Sequence, residues 1–137
     1  MKDFLFIKGQ KIKRTEVHKK LAGSGQGGIN PTRHGEILIF SDPKVGEKFG
    51  YHDGWKGESY LYSGEGQEGD MEFKKGNKAI RDHRINGANI YLFFGSKGVV
   101  TYENQFVLDE ENPYVLVDAK DKNQEDRQAI IFKLNPI

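Results

Sequence analysis

Two tyrosines and one aspartate carry the most specific chemistry in this chain. Tyr51 and Tyr62 stand on either side of the turn-rich segment Asp53-Gly54-Trp55-Lys56-Gly57. A hairpin built on that turn sets two phenol rings around a slot, and Asp53 aims a carboxylate into it. A flat heteroaromatic base fits such a slot. Its faces stack on the rings and its exocyclic amine donates to the carboxylate. Tyr51, Trp55 and Tyr62 are equally strand aromatics of the kind that pack a core. The residues alone leave both readings open.

A second candidate lies nearer the C-terminus. Val115-Leu116-Val117-Asp118-Ala119-Lys120 reads as a strand ending in Asp-x-Lys, with Asp109, Glu110 and Glu111 upstream. Metal-dependent nucleases use such a set: the acids hold magnesium and the lysine orients water. The competing reading is a strand that runs into a solvated turn, since Asp121 and Lys122 follow at once. Other chemistry is missing from the sequence. There is no G-x-x-x-x-G-K-[ST], no H-E-x-x-H and no G-x-S-x-G. His18, His34, His52 and His83 lack metal-ligand spacing, and there is no Cys to supply thiolates or disulfides. No metal and no cofactor are expected, and no catalytic residue is assigned outside the Asp118–Lys120 alternative.

The 137 residues suggest one domain, 1–137, because two would each fall short of a core. Aromatics at 12% argue against disorder. No run of 18 apolar residues exists, so no membrane partner is expected. The N-terminus shows no apolar stretch followed by a small-residue cleavage site, and a cytoplasmic address is the expectation. Net charge is only +1, but it is segregated. Residues 1–34 carry eight Lys/Arg against Asp3 and Glu16, and residues 73–100 carry six against Asp82. Residues 51–72 hold six acids against Lys56, and residues 101–137 hold eight acids against four bases. Local positive clusters suit nucleic acid even in a near-neutral chain. The two basic segments are expected to meet on one face around the slot.

Short strands separated by turns must position these residues. Candidates are Phe4–Ile7, Glu36–Phe40, Gly46–Tyr51, Ser59–Ser63, Ala88–Phe94, Val99–Glu103, Gln105–Leu108, Tyr114–Asp118 and Ala129–Leu134. Helices are expected over Glu16–Leu21, capped by Thr15, and over Asn77–His83. Residues 22–34 contain five Gly or Pro and read as a loop, as do residues 64–70. Strands at roughly ten-residue spacing favour a barrel or sandwich. The expected class is therefore α+β: a curved β-barrel with two short helices.

The ordered motifs also carry a resemblance. Phe49-Gly50-Tyr51-His52-Asp53-Gly54 followed by Tyr60-Leu61-Tyr62-Ser63-Gly64 resembles the G-G-Y-x-D-D … F-x-Y-T-G pattern of the SRA (SET- and RING-associated, or YDG) family. Glu16-Val17-His18, Gly27-Gly28-Ile29 and His34-Gly35 stand in the family's order upstream. Asn77-Lys78-Ala79-Ile80, Ala88 to Leu92, and Tyr102-Glu103-Asn104-Gln105-Phe106 follow in order downstream. The form with GEGQEGDM and GNKAI looks most like the SRA-like modules of McrA-type HNH restriction endonucleases. The resemblance implies a PUA-like fold and recognition of modified cytosine in double-stranded DNA by base flipping. It implies Tyr51 and Tyr62 as stacking rings, Asp53 as acceptor of the cytosine amine, and Gly50 and Ser63 on the Watson–Crick edge. Val17 and His18 match the segment that fills the gap in the duplex. Lys19, Lys20, Lys74, Lys75, Lys78 and Arg81 are phosphate candidates from charge alone. No HNH motif occurs here, so the chain reads as the reader module of a restriction system whose nuclease is another domain or subunit. The departures are Gly54 for the second acid, Ser63 for Thr and Phe49 for Gly. The alternatives are the magnesium nuclease of Asp118 and Lys120, and an RNA-binding PUA-like domain.

Overall fold

The run Ile37-Leu38-Ile39-Phe40 is apolar on both sides of the strand, and this forces the sheet around it to be covered on two faces. In the computed structural model this run lies in β3 (Glu36–Ser41), every residue of which is buried. The structure describes residues 6–21, 28–32, 35–42, 53–95 and 97–137. The other strands are β1 (Lys11–Lys13), β2 (Ile29–Pro31), β4 (Gly54–Lys56), β5 (Ser59–Ser63), β6 (Asn89–Phe94), β7 (Val99–Leu108), β8 (Tyr114–Lys120) and β9 (Asp126–Pro136). Two helices complete the described residues, α1 (Arg14–Leu21) and α2 (Lys75–Arg81). None is long and apolar enough to cross a membrane.

The strands form one mixed sheet in the order β2-β3-β6-β7-β9-β5-β4, with β1 on β7 and β8 on β9. β3 and β6 run parallel, pairing Glu36 with Asn89 through to Ser41 with Phe94. All other pairs are antiparallel. This confirms a sheet-dominated fold with two helices. Closure into a barrel is not seen: among the described residues the path starts at β2 and stops at β4.

Alternation along β3 and β6 divides the core into two clusters. Ile37, Ile39, Ile90 and Leu92 face Tyr60, Tyr62, Ile80, Phe106 and the β9 side chains Ile130, Phe132 and Leu134. Leu38, Phe40, Tyr91 and Phe93 face Phe6, Val17, Leu21, Val100 and Tyr102. Residues of opposite parity point to opposite faces. The helix α1 therefore packs on one face of the β3–β6 pair through Val17 and Leu21, while α2 packs on the other through Ile80. Truncating any of these fully buried aliphatics to Ala costs about 2–5 kcal/mol.

Local chemistry sets the elements. In α1, Glu16 sits in the first turn and Lys19 and Lys20 in the last, which complements the helix dipole. At α2, Gly76 lies against Ile29: a Cβ there would come within 2.7 Å of the Ile29 side chain. The two expected strands over residues 99–103 and 105–108 are one, β7, with a register shift opposite Leu92 and Phe93 that absorbs the expected break. The expected strand Phe4–Ile7 lies partly, and Gly46–Tyr51 wholly, outside the described residues; Phe6 and Ile7 are not in a strand.

The glycine-rich segment 64–70 is clamped. Arg127 Nη1 donates to the Gly66 and Gly69 carbonyls at 3.0 and 2.9 Å. Asp121 accepts from the Gly69 amide at 2.9 Å and from its own turn at Asn123 and Glu125. Asn77 accepts from the Glu65 amide at 2.8 Å and donates to the Glu65 and Glu72 carbonyls at 2.9 Å. The segment has its backbone groups engaged from β9 and α2, and the strand it follows, β5, is thereby fixed.

Candidate nucleic-acid interface

The C-terminal end of β3 is where the polar groups of the fold converge. Asp53 stands immediately before β4, and both its carboxylate oxygens are held. Oδ2 accepts from the Ser41 hydroxyl at 2.5 Å and Oδ1 from the Ser63 amide at 2.8 Å. Ser41 Oγ also lies 2.7 Å from the Tyr60 hydroxyl. The single Ser41 proton goes to the carboxylate, which can only accept, so Tyr60 donates to Ser41. A directed chain results: Tyr60 to Ser41 to Asp53. Burial, with a further push from the Asp53 charge, raises the Tyr60 phenol to about 12 against the opposing Ser41 hydrogen bond. It keeps its proton at any physiological pH. Trp55 packs edge-on against the Tyr60 ring at 5.2 Å between centroids.

Tyr62 lies two residues along β5 from Tyr60, on the same face. Its ring is buried, and its hydroxyl donates to the Phe40 carbonyl at 3.2 Å. Gly28 borders it closely: a Cβ on Gly28 would sit 2.7 Å from the Tyr62 hydroxyl and 3.3 Å from the Phe40 carbonyl. Across Phe40, the guanidinium of Arg14 lies 4.0 Å from the ring centroid. Arg14 Nε donates to His18 Nε2 at 2.9 Å, and the His18 ring itself leans on Phe40 at 5.4 Å. His18 is therefore the neutral tautomer with the proton on Nδ1, a buried atom without a hydrogen-bond partner among the described residues. Burial, then the Arg14 charge, holds the imidazole below its usual pKa. Burial likewise lowers Arg14, opposed by Tyr62.

The residues singled out in the sequence fall as follows. Asp53, Tyr62 and Ser63 come together at this one place. Gly50 and Tyr51 lie outside the described residues. Val17 is fully buried in the α1 core, so in this conformation its side chain cannot enter a duplex. His18 is half-buried under Arg14. Lys19 and Lys20 are exposed on α1, and Lys75 and Lys78 on α2. Lys74 pairs with Glu72 at 3.0 Å, and Arg81 with Asp82 at 2.8 Å. The helical lysines of the two basic segments do not meet on one face, since α1 and α2 cover opposite faces of β3 and β6, although β1 and Arg14 of the first segment bond the backbone at 98–100 of the second. For the helical lysines that expectation is corrected, because the alternation of β3 places its neighbours on both sides. Sequence reading missed Ser41, Tyr60 and Arg14. Ser41 stood beside the turn signal Asp42-Pro43, Tyr60 stood in the expected strand Ser59–Ser63 and in the motif but with no role assigned, and Arg14 lay before the expected helix.

The Asp-x-Lys motif is not assembled with Asp109, the first of the upstream acids expected to join it. Lys120 Nζ pairs with Asp126 at 2.5 Å, and Asp118 accepts from Gln128. Asp109 is bound to Asn135 at 2.8 Å and bonds the β9 backbone at Lys133, five residues along β9 from Gln128. At about 3.3 Å per residue these positions are roughly 16 Å apart. Among the described residues no three His, Asp or Glu stand together as metal ligands.

Comparison with known proteins bears on the fold. No curated protein matches the chain. Among solved structures, the sulfur-binding and SRA domains of ScoMcrA complexed with phosphorothioated DNA match with a TM-score of 0.75 at 22% identity, over 96% of this chain and 40% of that one. The phosphorothioation-dependent type IV restriction endonuclease ScoMcrA matches equally, over 24% of its length. The chain thus spans less than half of either. The SRA domain of SUVH5 in complex with hemimethylated CG DNA matches with a TM-score of 0.67 at 20% identity, over 98% of this chain and 90% of that one. The model of the ScoMcrA-like SRA domain matches residues 8–137, nearly the whole sequence, and the chain belongs to that family.

Proposed function

We propose that this chain binds modified double-stranded DNA, reading an extruded cytosine derivative at the end of β3. One observation carries the reading: Asp53 is held as an acceptor by the Ser41 hydroxyl and by the amide of Ser63, the residue after Tyr62 in β5. A carboxylate that can only accept suits an exocyclic amine, and phenol rings suit the faces of a base. Solved structures of SRA domains with modified DNA support the same reading. In this proposal the domain is a cytoplasmic reader and leaves cleavage to an HNH nuclease domain or subunit.

The test is a binding panel of otherwise identical duplexes. They carry cytosine, 5-methylcytosine, 5-hydroxymethylcytosine, a glucosylated derivative, or a backbone phosphorothioate. Preference for one base modification, with fluorescence of a 2-aminopurine neighbour reporting extrusion, is the expected result. Equal binding to every duplex overturns it. Preference for the phosphorothioate alone moves the recognised group from base to backbone.

A further inference from the structure

Asp53 is the residue that would distinguish one base from another, yet its carboxylate is placed by others. A free aspartate rotates about χ2, and its oxygens can follow whichever donor a ligand presents. Here one oxygen is tied to the Ser63 amide and the other to the Ser41 hydroxyl. Ser41 is 1% exposed and Tyr60 2%, so neither can exchange its partner for water. Ser41 belongs to β3 and Tyr60 to β5, which are not neighbours in the sheet. The chain of hydroxyls therefore spans two separately held strands and fixes the carboxylate against both.

On the basis of the base-reading function above, we infer that Ser41 and Tyr60 are positioning residues. They lock the Asp53 carboxylate as a pure acceptor and thereby select a base with an amino group over one with a carbonyl. The physical case is clearest for 5-methylcytosine against thymine. The two rings share a methyl and differ at C4, amine against oxygen, and at N3, acceptor against N–H. A fixed carboxylate aimed at the C4 position accepts from the amine and repels the oxygen. A carboxylate free to turn can swing to the N3–H of thymine and accept there instead. Locking thus matters for selectivity more than for affinity.

The experiment compares wild type, Ser41→Ala, Tyr60→Phe and the double variant. The probes are duplexes with a single 5-methylcytosine or thymine opposite guanine. A mismatched thymine flips more easily, so the affinity ratio is compared between variants, not read absolutely. Ser41→Ala is expected to lower the ratio roughly tenfold, the effect of losing about one hydrogen bond to a charged group, and Tyr60→Phe to lower it in the same direction by less, since it removes only the bond that orients Ser41. The double variant should be no worse than Ser41→Ala alone, because without the Ser41 hydroxyl Tyr60 no longer connects to Asp53. Tyr60→Phe keeps the buried ring, so it reports even if Ser41→Ala folds poorly. A readout without DNA accompanies this: the Ser63 amide proton, which bonds Asp53, should shift in both variants by NMR. An unchanged ratio in both single variants overturns the inference, as does an unmoved Ser63 amide. A wild type without preference between the duplexes overturns the base-reading function and the selectivity half of the inference. The Ser63 amide then still decides the positioning half.

Discussion

Gly28 shows how little room surrounds the Tyr62 hydroxyl. A methyl group there meets the hydroxyl at 2.7 Å, closer than carbon and oxygen tolerate, and the Phe40 carbonyl stands just behind. Gly28→Ala should therefore destabilise by about 1–3 kcal/mol through overpacking. Tyr62→Phe removes the atom that is struck, at the cost of one hydrogen bond to Phe40, about 1 kcal/mol. The double variant should then be clearly more stable than the sum of the singles predicts, by denaturant titration. Strict additivity would mean that Gly28 and Tyr62 do not share the space the structure gives them. Binding separates the roles of the neighbouring residues. Tyr62→Ala should weaken every modified duplex by roughly 1–3 kcal/mol, because stacking is tolerant of sequence. Asp53→Ala should leave much of the affinity and erode the preference among bases. If Asp53→Ala preserves both affinity and preference in a filter-binding assay, the carboxylate does not read the base.

Elements are joined here by a few buried polar side chains, and His83 is the one most open to test. It follows α2 and links the start of β6 to the end of β7. Its Nε2 accepts from the Leu108 amide at 3.2 Å, so its Nδ1 carries the proton and donates to the Ala88 carbonyl at 3.0 Å. Only the neutral ring can make both bonds. Burial, with a smaller push from Arg84, holds its pKa below the usual value against the Ala88 bond, which raises it. The unfolded chain therefore takes up the proton first. The His83 contribution is complete above about pH 6.5 and is lost as pH falls below that, toward the folded-state value. His18, also depressed, contributes with the same sign. Stability measured between pH 7 and pH 5 should fall, and His83→Gln should flatten part of that slope. A slope unchanged in the variant would locate the titration elsewhere. The carboxylates held low by hydrogen bonds, Asp109 and Asp121, act only at more acidic pH.

What the sequence revealed divides at the same scale. The apolar runs 36–40, 59–63, 88–94 and 129–134 announced their strands, because a strand buried on both faces is written in consecutive β-formers. β1, β2 and β4 were invisible. Each is three residues long, and Lys11-Ile12-Lys13 or Gly54-Trp55-Lys56 becomes a strand only because a longer neighbour supplies the hydrogen bonds. The site was half legible for the same reason. Asp53, Tyr62 and Ser63 stood out by local spacing, whereas Ser41 reaches Asp53 from 12 residues away across the sheet, and no local pattern encodes that contact.

At the scale of the whole molecule, charge decides which face would meet DNA in the proposed function. The two basic helices lie on opposite faces of the β3–β6 pair, so one flat approach to DNA cannot use both fully. Their surroundings differ. Around α2 the cations are answered locally: Lys74 by Glu72, Arg81 by Asp82, with the Glu65 carboxyl on the Gly76 amide. Within β1 and α1, Lys11, Lys13, Arg14, Lys19 and Lys20 are accompanied in sequence by one acid, Glu16. That face keeps a positive field, and its Arg14 and His18 rest on Phe40, next to Ser41, which bonds Asp53. Phosphate contacts should then come mainly from α1. Affinity for a modified duplex is expected to fall steeply with salt, with a log–log slope of roughly −0.9 for each phosphate neutralised. Replacing Lys19 and Lys20 by Gln should flatten the slope by about that amount per lysine that touches the backbone. Lys75→Gln with Lys78→Gln should leave it nearly unchanged. The opposite pattern would place the DNA on the α2 face. A slope near zero in the wild type would remove the phosphate backbone from recognition altogether, and with it the case for a duplex as the ligand.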